Sequence, residues 1–154
     1  MKSNKGFTLI ELLIVIGIIA VLALITLVAV NPARLFGQSR DAVRESHINA
    51  ITSAVAQFRA EHEGNLPDTD GDDSLSSFPT TPTCIGTATG CFDLGTAGAV
   101  EDTTQIVPDY IAEMPIDPQT GSAEDTGYSI WINANDRIVA SASGEVRANI
   151  SIVR

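Results

Sequence analysis

The sequence predicts an α+β protein: a long N-terminal α-helix, hydrophobic in its first half, packed on a small C-terminal antiparallel β-sheet. Three observations predict it. Residues 12–30 are apolar, Gly or Thr throughout. Residues 38–63 carry apolar side chains at spacings of three and four. From Gly127 onward the apolar spacing changes to two.

The first run defines a spanning helix. At about 1.5 Å per residue, Leu12 to Val30 covers roughly 28 Å, enough to cross the hydrocarbon core of a bilayer. A helix apolar on every face lies in lipid or in a large protein interior, and a chain of 154 residues is too small to enclose one. A cleaved secretory signal has a shorter apolar region with small residues after it. Here the run is longer and "NPARLFGQSR" follows. A plain single-pass anchor accounts for the length and for Lys2 and Lys5 ahead of it, but not for Glu11. A carboxylate at the edge of a spanning segment costs free energy and by default marks function.

The second helical stretch, from Gln38 to Glu63, places Ile48, Ile51, Val55 and Phe58 on one stripe, flanked by Ala50 and Ala54. Gly64 supplies the stop and Pro67 reinforces it. The two stretches read as one long helix, perturbed near Asn31–Pro32 and Gly37. Residues 65–126 are rich in Pro, Gly, Thr and Ser, with a short helix or turn expected around Thr104 to Met114. A connection of this length is uncommon and usually functional. Then "GYSIWINAND", "RIVASASG" and "EVRANISIVR" read as three strands. Turns fall at Ala134–Asp136 and Ser143–Gly144. Val146, Ala148, Ile150 and Ile152 share one face. Tyr128, Ile130 and Ile132 share another, with Trp131 opposite. The sheet is expected to cover the helical stripe.

The formal net charge is -10, which disfavours non-specific binding of nucleic acid. Arg34, Arg40 and Arg44 are close together, but Asp41 and Glu45 are interleaved with them. The reading is a solvated or subunit-contact helix face.

The segment "KGFTLIE" resembles the processing and assembly signature of type IV pilins and type II secretion pseudopilins. That family has a short basic leader ending in Gly, then Phe, then Glu four residues on: here Gly6, Phe7 and Glu11. The resemblance covers residues 2–30 strongly and the rest more loosely. It implies cleavage after Gly6 by a membrane-embedded prepilin peptidase and methylation of the new amine of Phe7. It implies a single-pass prepilin in the inner membrane, with the leader in the cytoplasm and the domain outside. An assembly platform then builds an extracellular filament, a homo-oligomer whose core is the packed apolar helices. Glu11 would pair with the Phe7 amine of a neighbour and so fix the axial register. The lysines and arginines on the two sides of the span nearly balance, so orientation comes from the resemblance. The sequence departs from the family near Val28, where many pilins carry a proline. The resulting division is leader 1–6, spanning and filament-core helix 7–30, amphipathic half 31–64, variable loop region 65–126 and three-stranded sheet 127–154.

Cys84 and Cys91 enclose the short, turn-rich loop "CIGTATGC". In an exported domain such a pair usually closes. A disulfide is expected to contribute about 2–3 kcal/mol by constraining the unfolded chain; free thiols are the alternative. "DTDGDD" places Asp68, Asp70, Asp72 and Asp73 around Gly71. Alternating carboxylates suit calcium, which takes hard oxygen ligands, and a solvated acidic turn is the other reading. The loop "MPIDPQTG" and its continuation offer a weaker set, Asp117, Glu124 and Asp125. No other cofactor is expected.

His47 and His62 lie on the helix, where surface or packing roles are expected. The sequence has no nucleophile elbow, phosphate loop or histidine metal cluster, so no enzyme is expected. The reading is a structural pilin. A type II secretion pseudopilin is the alternative within the same architecture, favoured by "MPIDPQTG". From another class comes a minor pilin that binds DNA or a surface ligand.

Overall fold

A computed structural model describes residues 6–71, 76–99 and 103–154. The chain forms two compact units, one ending at Phe36 and the other Gly37–Arg154.

In the first unit, α1 spans Leu9–Val30. Helix is the only open conformation that meets all its backbone hydrogen bonds within one segment, which is what lipid demands. Thr8 caps it in an extended conformation. From Leu9 to Ala29 every residue is exposed. The helix stops at Asn31, whose φ of 44° and ψ of 74° are left-handed. Asn tolerates that region, and Pro32 has no N–H to continue the ladder of α1. Pro32 instead opens α2, Pro32–Glu61, at the position where a missing N–H costs nothing. Both the carbonyl and the side-chain oxygen of Asn31 accept from the Arg34 N–H, at 3.1 and 3.3 Å. The break therefore sits at Asn31 alone. Gly37 lies within α2, where the absence of a side chain serves packing: a Cβ there would sit 2.9 Å from Cγ2 of Val146.

The second unit is built on α2. Ile48, Ile51, Ala54, Val55 and Phe58 are buried, whereas Ala50 is exposed. Each large apolar side chain in that stripe contributes about 1.5–3 kcal/mol on burial. The helix ends at Glu61, two residues before Glu63. Glu63 and Gly64 take positive φ, and the Gly64 N–H donates to the Arg59 carbonyl at 2.9 Å.

The sheet has four antiparallel strands, not three, in the order β1 (Thr83–Cys84), β2 (Tyr128–Ile132), β3 (Ile138–Ser143) and β4 (Asn149–Val153). Thr83 pairs with Ile130, Ile130 with Ala140, and Ala142 with Ile150. β1 is drawn from the loop region and carries no alternation that would mark a strand. It is a strand because Ile85 and Tyr128 continue the pairing through the 2.9 Å bond from the Ile85 N–H to the Tyr128 carbonyl. β4 is shorter than the alternation implied. Val146 and Ala148 lie in the β3–β4 connection and are exposed.

Tyr128 and Ile130 face the core as the alternation requires, with Ala140, Ala142 and Ile150 beside them. The loop region is ordered by the same core. Phe78, Ile85, Phe92, Leu94 and Ile106 are buried in it. Asp68 and Gly98 exchange backbone bonds at 2.9 Å, and Ile106 donates to Ala97 at 2.9 Å. Around Thr104 to Met114 no regular α-helix forms. Val107 is extended (φ −115°, ψ 126°) ahead of a cis Val107–Pro108 bond, as sterics before proline favour. Ile106–Tyr110 is a tight turn closed by the Ile111 N–H on the Ile106 carbonyl at 3.1 Å.

Candidate functional site

Two constellations stand out, one in each unit. The first is the N-terminal segment. Gly6 and Phe7 precede the helix, outside regular secondary structure, and are exposed, Phe7 by 87%. No atom lies within 4 Å of a Cβ built at Gly6, so the fold itself does not require glycine there. Thr8 and Glu11 form a reciprocal cap. The Thr8 N–H and hydroxyl donate to Oε2 of Glu11 at 3.0 and 2.9 Å, and the Glu11 N–H donates to the Thr8 hydroxyl at 3.3 Å. This box satisfies two backbone donors at a helix start. It also gives the carboxylate local partners within its own chain.

The second constellation corrects the reading of a solvated face on α2. Arg44 is 3% exposed and Asp41 is 1% exposed. Arg44 donates through Nε and Nη2 to the two oxygens of Asp117, at 2.5 and 3.2 Å. Its Nη1 reaches Asp41 Oδ1 at 3.0 Å and Glu145 Oε1 at 2.9 Å. Glu145 also accepts from Nε and Nη2 of Arg40 through its two oxygens. Asp41 accepts the backbone N–H groups of Glu145, Val146 and Arg147 at 2.8–3.0 Å. The bend that presents those three amides needs Gly144, where a Cβ would collide with the Arg147 carbonyl.

Three carboxylates and two guanidiniums thus tie α2 to the 115–126 loop and to the β3–β4 connection. Arg44 holds the Asp117 carboxyl well below the ordinary carboxylate range. The Arg147 and Glu145 amides do the same for Asp41. Arg40 lowers Glu145 to about 2. In turn Asp117, foremost, raises the Arg44 guanidinium. Next to this cluster Tyr128 is raised to about 12 by burial, and its hydroxyl lies 2.8 Å from His47 Nδ1. His62 stacks on Phe58 with ring centroids 4.0 Å apart. Both histidines are packing residues.

Sequence reasoning missed this cluster because charge alternation on a helix resembles a solvated face. One signal was present. An Asp–Pro pair opening a turn has its carboxylate fixed by amides two and three residues on, as Asp117 is by Gln119 and Thr120 at 2.9 and 3.0 Å.

Cys84 and Cys91 are joined by a disulfide. Asp68 lies at the start of the acidic loop. Its carboxylate accepts the Asp70 N–H at 2.9 Å and the Ser77 hydroxyl at 2.6 Å. Asp72 and Asp73 lie outside the described residues. Among the described residues no three His, Cys, Asp or Glu side chains converge as metal ligands. Asp117 is committed to Arg44, and with Glu124 and Asp125 it forms no such group among the described residues.

The motif and the apolar helix define a class: residues 1–27 match the family described as the prokaryotic N-terminal methylation motif. The chain therefore carries a prepilin-type N-terminal methylation motif ahead of an α+β domain. More particularly, it is similar to the ComG operon protein 3 homolog of Bacillus licheniformis, 34% identical over 65 residues. The match covers 42% of this chain and 65% of that relative. No solved structure matches the chain.

Proposed function

We propose that this chain is a pilin-type structural subunit of an extracellular filament. It is held in the membrane by α1 as a prepilin. A prepilin peptidase cuts after Gly6, Phe7 is methylated, and an assembly platform packs the apolar helices of many copies into a homo-oligomeric core. The observation that carries this reading is the exposure of every residue from Leu9 to Ala29 behind a methylation motif. Such a surface needs lipid, then other copies, to cover it.

Glu11 supports a registry role. Its cap with Thr8 suffices while the subunit is alone. In a low-dielectric bundle the amine of a neighbour's Phe7 offers a full counter-charge, and pairing favours one axial register over slipped ones. Gly6 supports processing, since the glycine has open space around it and the requirement lies with the peptidase.

The test is mass spectrometry on filaments sheared from the cell surface, with electron microscopy of the same fraction. The mature chain is expected to begin at methylated Phe7. Filaments carrying residues 1–6 would overturn the reading. Processed subunit found only in envelope-bound fibres, none at the surface, would point to a type II secretion pseudopilin. The turn opened by Asp117–Pro118 favours that alternative.

A further inference from the structure

The first unit does not end with α1. It runs on to Phe36, through the first turn of α2. Pro32, Leu35 and Phe36 lie at i, i+3 and i+4 and so share one helix face. Leu35 is 50% exposed and Phe36 is 63% exposed. Among the described residues the Arg34 guanidinium has no ion-pair or hydrogen-bond partner. In the second unit Arg40, Arg44, Arg59 and Arg147 each meet a carboxylate, and Arg154 donates to Asn49 Oδ1; Arg137, like Arg34, has no side-chain partner among the described residues.

We infer that residues 32–36 form an interfacial anchor that docks on lipid headgroups, with Leu35 and Phe36 inserted at the acyl boundary and Arg34 on anionic headgroups. The proposal rests on the membrane-anchoring reading of α1. Three physical arguments choose lipid as the occupant. The span Leu9–Ala29 has 21 residues, and at about 1.5 Å each it fills a hydrocarbon core of about 30 Å. The residues immediately beyond it rise through the next several ångströms, the depth of the headgroups.

The break at Asn31 also belongs at that depth. A helix end leaves carbonyls without intrahelical partners. Those groups are costly in hydrocarbon and satisfied among hydrated headgroups. Finally, apolar side chains beside an unpaired arginine match the interface, where rings and aliphatic groups insert and the cation stays at the surface. The anchor extends a surface that already contacts lipid and needs no second binding partner. It would hold the subunit at a fixed depth until extraction.

The full chain carries a single tryptophan, Trp131, so a Trp131→Phe background isolates one reporter. Phe36→Trp in that background is reconstituted in phosphatidylcholine vesicles and in phosphatidylcholine–phosphatidylglycerol vesicles, with lipids brominated at shallow or deep positions. Leu22→Trp reports the span and Val153→Trp an aqueous site. The expected result is quenching of the Phe36→Trp probe by shallow bromines, stronger with phosphatidylglycerol. Adding Arg34→Gln should reduce the quenched-to-free ratio in anionic vesicles roughly fivefold, the scale of one basic residue at such a surface. It should leave neutral vesicles unchanged. A Phe36→Trp probe no more quenched than Val153→Trp, while Leu22→Trp is quenched by deep bromines, overturns the anchor and leaves the span standing. Loss of quenching at Leu22→Trp instead overturns the membrane reading itself. Emission from Phe36→Trp that shifts with protein concentration and is insensitive to bromine identifies a second copy as the occupant and also overturns the proposal.

Discussion

The two helices treat charge in opposite ways. On α1 the single carboxylate, Glu11, is exposed and, among the described residues, held by Thr8, three residues away. On α2, Asp41 and Arg44 are buried, with partners from positions 117 and 145. The second unit therefore pairs its buried charges within one chain. The first leaves an apolar surface and a loosely held acid for something outside the chain to complete. That difference separates a self-sufficient folded domain from a helix that needs an apolar environment around it.

The sharpest way to break the comparison is at the N-terminus. Gly6→Val leaves the fold untouched, since nothing crowds that position. On the peptidase reading it is expected to abolish processing and leave a longer membrane-bound precursor by immunoblot. A normally processed chain would remove the functional distinction between the units.

Next comes the buried cluster. Arg44→Met strips the bidentate partner from Asp117 and a partner from Asp41, and breaking such a buried pair costs about 3–5 kcal/mol. The double change Arg44→Met with Asp117→Leu is expected to lose clearly less. It leaves Asp41 on its three amides and Glu145 on Arg40. Denaturant unfolding followed by Trp131 fluorescence gives both values. Equal losses would mean that the cluster acts through packing rather than charge.

The same cluster sets the acid response. Its carboxylates have folded values below their unfolded ones, with Glu145 near 2 against an ordinary 4.5. Their contribution is therefore complete above the unfolded value and is lost as pH falls through the folded values. The melting temperature of the domain is expected to stay level above about pH 5 and to fall progressively below about pH 4. A fall centred near neutral pH would contradict this assignment to the cluster.

Smaller effects sharpen the picture of the loop region. Replacing Cys84 and Cys91 together by Ser is expected to cost about 2–3 kcal/mol, because the closed loop is short. Smallest is the effect of calcium. If Asp68, Asp70 and Asp72 bind it, millimolar calcium raises the melting temperature, EGTA reverses the rise and Asp70→Ala abolishes it. An unchanged melting temperature establishes the solvated turn.

What was legible in the sequence follows a physical line. The span was readable because it is apolar on every face for long enough to cross a bilayer, and the α2 stripe and strands β2 to β4 because each buries one face at a fixed period. The methylation motif at residues 1–27 was readable because the order of Gly6, Phe7 and Glu11 around an apolar run is distinctive. β1 and the Arg44 cluster were not, because both depend on residues far apart in the chain. Thr83 becomes a strand residue only opposite Ile130. Arg44 becomes a core residue only once Asp117 and Glu145 arrive. Of the helix or turn expected around Thr104 to Met114, the turn is what forms, at Ile106–Tyr110, because Val107 is extended before Pro108.

The most direct test of the central claim is Glu11→Gln, read as surface filament yield alongside the membrane pool of processed subunit. The amide keeps the size of the side chain and costs less in lipid, so insertion and cleavage are expected to be normal. Assembly is expected to fall sharply, because each incoming amine of Phe7 would be buried without its counter-charge. Mixed expression with the unaltered chain should carry some variant subunits into filaments. Normal filament yield from Glu11→Gln alone would contradict the account and leave Glu11 with no role beyond its cap on Thr8.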